Sequence, residues 1–122
     1  MRFRLFLGAI TLPLSIVFAA GCGEADLGDC PPNSEAQQAA GEQVMAANCM
    51  ICHSSQITGA NRQDAPEDLN FDDLATVRAE AAELYGETES GAMPPEPYKP
   101  VTGTDLENLR IWLACGAKDT TP

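Results

Sequence analysis

The 122-residue chain has one histidine, few aromatic side chains at 6% of positions, and 7 basic residues against 18 acidic ones. Each shortage closes off a class of protein. A site built on two imidazoles cannot come from one copy of this chain. A formal charge of -11 repels phosphate backbones and anionic headgroups over most of the surface, so nucleic acid is excluded as a partner. There is no glycine-rich phosphate loop, no internal repeat, and no apolar-polar alternation of the kind a half-buried strand needs. The length suits one compact domain and is too short for two ordinary cores.

The one long apolar run lies at the very start. Arg2 and Arg4 precede "LFLGAITLPLSIVFAA", and small residues lead on to Cys22, the layout of a signal peptide over residues 1–21. The run stops short of the roughly 20 residues a membrane span requires. Its end, "VFAAGC", resembles the lipobox of bacterial lipoproteins, although Ala19 stands where that family usually has leucine. The resemblance implies lipidation of Cys22 and a periplasmic protein anchored to a bacterial membrane by lipid. Cleavage after Ala19 or Gly21 would leave a soluble extracytoplasmic chain instead.

Residues 22–33 are acidic and rich in Gly and Pro, and are expected to form a linker. The domain follows over 34–118. Ala36, Ala40, Val44 and Ala47 recur at helical spacing behind a Ser34/Gln37 capping box, predicting a helix over Glu35–Asn48. Residues 54–68 read as a loop. A second helix is expected from an Asn70 cap through the stripe Phe71, Leu74, Val77, Ala81 and Leu84 to a stop at Gly86. "ETESGAMPPEPYKPVTG" contains four prolines and reads as a stiff loop. A last helix, with Thr104 and Glu107 at capping-box spacing, carries Leu106, Leu109, Trp112 and Leu113 on one face and ends at Gly116. The fold class is all-α.

At the end of the first helix stands "CMICH". C-x-x-C-H is the attachment signal for c-type haem. Cys49 and Cys52 reach the two vinyl positions of one ring, and His53 then lies over the iron. Competing readings are weaker. A thioredoxin-like dithiol opens a helix after a strand, whereas this pair closes a helix. A zinc half-site would have to take Cys30 or Cys115. A Cys49–Cys52 disulfide gives His53 no task. With two cysteines assigned to haem and Cys22 to lipid, Cys30 and Cys115 remain as an even pair in an oxidising compartment, and a disulfide between them is expected. Thioether sulfur leads as the sixth ligand, and Met93 lies far enough along the chain to reach the opposite haem face.

On these residues the chain resembles the small monohaem c-type cytochromes, from Ser34 to Gly116. The family often has Met-Pro at its axial methionine, as at Met93. Gly41 matches a position where the first helix packs closely on the last, and "LRIWL" matches the final helix through Leu109, Trp112 and Leu113. Two departures stand out: Met45 replaces an aromatic residue, and the loop after His53 lacks Gly-Pro. The resemblance implies a three-to-four-helix cytochrome c-like fold around one covalent haem, with the Pro66 carbonyl accepting the second N–H of His53.

The function expected is one-electron transfer in an electron-transport chain outside the cytoplasm, without enzymatic activity, to redox proteins with basic docking surfaces. The alternative is a haem enzyme or ligand sensor with an open or exchangeable sixth position. Acidic pairs such as Asp72/Asp73 and Glu80/Glu83 read as solvated faces rather than acid-base machinery.

Overall fold

A computed structural model describes residues 24–121; residues 1–21, expected to be a signal peptide, and Cys22 lie outside the described residues. Within them the chain is all-helical, with four α-helices and no strand. α1 spans Glu35–Asn48, α2 Leu74–Ala79, α3 Ala81–Glu89 and α4 Gly103–Ala114. None of these helices is long and apolar enough to cross a membrane.

α1 and α4 form the main helix pair. They approach so closely at Gly41 that an added Cβ would fall 2.2 Å from the Asn108 carbonyl oxygen and 2.7 Å from the Trp112 Cβ. Only a residue without a side chain fits that crossing. The α4 face expected from its apolar spacing is the core: Leu109 and Trp112 are fully buried, and Leu113 is nearly so. Met45 from α1, Val77 from α2, and Leu84 and Tyr85 from α3 complete the cluster. The Trp112 indole N–H donates to the Lys118 carbonyl at 2.8 Å, so its single polar atom is satisfied.

Cys30 and Cys115 are paired, with Cα atoms 4.8 Å apart, within the range a disulfide spans. The bridge ties the approach to α1 to the end of α4. The segment before it does not stand off as a free linker, because Ala25 and Leu27 pack against the core and Arg110 donates to the Leu27 carbonyl. At the other end, the Thr120 amide donates to Glu42 at 2.9 Å, so ordered contacts run past residue 118.

Other expectations differ from what forms. The helix expected from Asn70 to Gly86 is two helices, broken at Glu80, where φ is -100° and ψ 9°. Its cap is Asp73, whose carboxylate accepts the Ala75 amide at 2.9 Å, and Asn70 is held in the preceding loop. Gly86 lies inside α3, which runs on to Glu89. Neither capping box forms. The Ser34 hydroxyl donates to the Pro31 carbonyl at 2.7 Å and accepts from Gln38 at 3.0 Å, while Thr104 sits within α4, which is capped at Thr102.

Candidate functional site

α1 ends at Cys49, and a tight turn follows in which the Cys52 and His53 amides both donate to the Cys49 carbonyl, at 3.2 and 2.9 Å. That turn brings Cys49, Cys52 and His53 to one wall of a cavity of about 470 Å³. The same cavity is lined by Met93, Pro94 and Pro95, with Leu69 and Phe71 from the intervening loop and Leu84 from α3. The wall is mainly apolar, and its volume falls within the roughly 300–1,000 Å³ typical of cofactor sites. Asp64, Glu80, Glu83 and Glu87 also line it.

Both cysteines at the cavity are free thiols. Burial, reinforced by the neighbouring Cys52, pushes the Cys49 pKa up to about 11. Its place at a helix C-terminus, where the backbone dipole is negative, also disfavours thiolate. A dithiol oxidoreductase needs the opposite, a depressed pKa at a helix N-terminus. A zinc site fares no better: Cys30 and Cys115 are bonded to each other, and among the described residues no three His, Cys, Asp or Glu side chains are grouped closely enough to hold one metal ion between them.

His53 is fixed from two sides. Its Nδ1 lies 3.2 Å from the Leu69 carbonyl. A carbonyl oxygen only accepts, so Nδ1 carries the proton and Nε2 keeps its lone pair. The ring stacks on Phe71 with centroids 4.7 Å apart and planes 19° from parallel, and the Phe71 amide donates to the His53 carbonyl at 2.7 Å. Burial lowers the imidazole's pKa below its ordinary 6.5; the Leu69 bond opposes that, and the Arg62 charge adds to it. The result is a neutral ring with one nitrogen ready to donate to a metal.

The partner of His53 is therefore Leu69, not the expected Pro66. The Pro66 carbonyl is occupied by the Arg62 guanidinium at 2.5 Å and the Leu69 amide at 3.2 Å. Arg62, only 4% exposed, was not legible as a site residue. It sits at the end of a short 3-10 turn, Gly59–Arg62, inside the stretch expected to be plain loop. Its guanidinium donates to the carbonyls of Ser54, Ile57, Ala65, Pro66 and Leu69, and to the Asn70 side-chain oxygen. No periodicity marks such a residue; the only signal is a lone cation in a long polar stretch.

Asp72 closes the same loop from outside, accepting from the Ser55 amide at 3.0 Å and the Ser55 hydroxyl at 2.5 Å. Met93, 40% exposed, is held by its amide to the Glu87 carbonyl at 2.9 Å. Trp112 is core and takes no part in the cavity wall. Tyr98 accepts from the Gln63 amide group at 2.7 Å, linking the loop after His53 to the proline-rich loop.

Comparison with protein-family profiles, curated proteins and solved structures finds no match for this chain.

Proposed function

We propose that the protein is a c-type cytochrome with a cytochrome c-like fold, a one-electron carrier acting outside the cytoplasm. The observation that carries this reading is the convergence of two free thiols, one neutral imidazole and one thioether on a single apolar cavity. Those four side chains fit haem c and fit no other cofactor equally well. Iron porphyrin held there would supply the one-electron chemistry.

The chain's own residues have distinct tasks in this reading. Cys49 and Cys52 would hold the porphyrin through thioether bonds, and as protonated thiols both carry the S–H that such an attachment uses without an outside oxidant. His53 offers Nε2 to the metal, with Leu69 and Phe71 setting its orientation. Met93 would be the second ligand, on a loop stiffened by Pro94 and Pro95 that lines the same cavity. Were both His53 and Met93 to bind the metal, no position would be left for substrate, which supports electron transfer over catalysis. The Cys30–Cys115 pair suits an oxidising compartment. Periplasmic localisation and lipid anchoring through Cys22 complete the proposal, and the net charge of -11 favours partners with basic docking surfaces.

The test is a pyridine haemochrome spectrum of protein matured in a host that attaches haem, alongside the double variant Cys49→Ser, Cys52→Ser. Colour in the wild type and its loss in the variant is expected; a colourless wild type overturns the reading. A methionine-to-iron charge-transfer band in the ferric protein, absent from Met93→Ala, supports the carrier. A high-spin ferric spectrum supports a haem enzyme or sensor instead.

A further inference from the structure

Arg62 is the most heavily hydrogen-bonded side chain near the site, and its charge is unusual. The guanidinium is buried, yet every acceptor it meets is neutral: five backbone carbonyls and the Asn70 Oδ1. Among the described residues the one salt bridge joins Arg110 to Glu107, on the surface. A buried cation is ordinarily paired, because desolvation is costly and a carboxylate offsets part of it. Here the hydrogen bonds satisfy the donors, while among the described residues no carboxylate comes within salt-bridge distance of the positive charge.

Its position gives that charge a target. Arg62 Nη2 donates to the Leu69 carbonyl at 3.3 Å, and the same oxygen accepts from His53 Nδ1 at 3.2 Å. One carbonyl with two lone pairs serves both donors. The arginine draws electron density from an oxygen that would otherwise pull on the imidazole proton. Second-sphere acceptors raise a histidine ligand's basicity, so an acceptor already engaged by a cation raises it less.

We propose that Arg62 is a positioning residue for His53 that raises the reduction potential of a metal bound there, acting through the Leu69 carbonyl and through its own uncompensated charge. This rests on the reading of His53 as an iron ligand. Both effects disfavour the ferric state, which carries one more positive charge than the ferrous one. They therefore act in the same direction. The acidic residues among those lining the cavity, Asp64, Glu80, Glu83 and Glu87, oppose them, and Arg62 offsets part of that negative charge.

Three variants of the haem-loaded protein separate charge from scaffolding, read by midpoint potential in a redox titration. Arg62→Gln removes the charge and is expected to shift the one-electron equilibrium toward ferric by about tenfold, about 59 mV downward. Arg62→Lys keeps the charge but not the planar fork, and is expected to recover most of the potential while leaving the protein less stable. Asn70→Asp keeps the arginine and places a carboxylate against Nη1, 3.0 Å away in the wild type. It is expected to lower the potential like Arg62→Gln even if that variant fails to fold. In the ferric protein, the His53 Nδ1 proton should exchange more slowly with solvent in Arg62→Gln than in wild type, because the freed Leu69 carbonyl holds it more tightly, whereas a merely structural role for Arg62 would speed exchange. A haem-loaded wild type with potentials unmoved or raised in Arg62→Gln and Asn70→Asp overturns this inference alone. A wild type that attaches no haem overturns it together with the proposed function.

Discussion

The α1–α4 pair is held by side-chain packing, whereas the segment from Ser54 to Asp73 is held largely by hydrogen bonds to backbone carbonyls. In the pair, Gly41 lets Trp112 sit against the α1 backbone, and the contact is apolar and non-directional. In the segment, Arg62, Asn70 and Asp72 collect carbonyls and amides from a stretch with almost no regular structure. Packing supplies most of the folding free energy, while the hydrogen-bonded segment sets where one imidazole points. Losses in the first region should unfold the domain, and losses in the second should detune the site first.

The largest effect should come from Trp112→Ala, which empties a fully buried position in the pair. About 4 kcal/mol of stability is expected to go, read as an earlier denaturant midpoint. Gly41→Ala should follow at about 3 kcal/mol, since the new Cβ has backbone and not a flexible side chain in its way. Opening Cys30–Cys115, which closes a loop of 85 residues, should cost at most about 4 kcal/mol and less if the unfolded chain retains structure. An unchanged midpoint in any of the three would remove the distinction between the regions.

In the segment the stability effects should be smaller and the site effects larger. Phe71→Leu keeps an apolar side chain at a buried position but removes the stack on His53, so a loss of about 1 kcal/mol is expected. The visible spectrum of the loaded protein should change more than its thermal midpoint does. Ser55→Ala should give the smallest change, and a pH-dependent one. The Ser55 hydroxyl and amide hold the Asp72 carboxyl below its ordinary 3.8. That contribution is present above the unfolded value and is lost as pH falls through the lower folded value. Wild type should therefore exceed the variant slightly at neutral pH, and the two should converge in acid. A difference that grows in acid would contradict this sign.

The same contrast explains what was legible in the sequence. α1 was readable to its ends because spacing of 3.6 is a direct record of a buried face, and the α4 core face was readable for the same reason. The break at Glu80 was not, since Val77 and Leu84 continue one stripe on paper whether the helix is straight or bent. The capping boxes misled for different reasons: the buried Ser34 hydroxyl bonds to Pro31 and Gln38 and not to a first-turn amide, and Thr104 lies inside a helix that already begins at Gly103. Cys49, Cys52 and His53 were legible as a motif, and the structure brings them to one cavity with Met93. Leu69 in place of Pro66 was beyond reach, because which carbonyl faces a histidine depends on the loop path that Arg62 imposes.

The central claim is most directly tested by the intact mass of the exported protein together with a count of its free thiols. The expected result is the polypeptide plus one porphyrin, with neither Cys49 nor Cys52 available to a thiol reagent. A bare polypeptide mass with both thiols reactive, from a host known to mature c-type haem proteins, would contradict it.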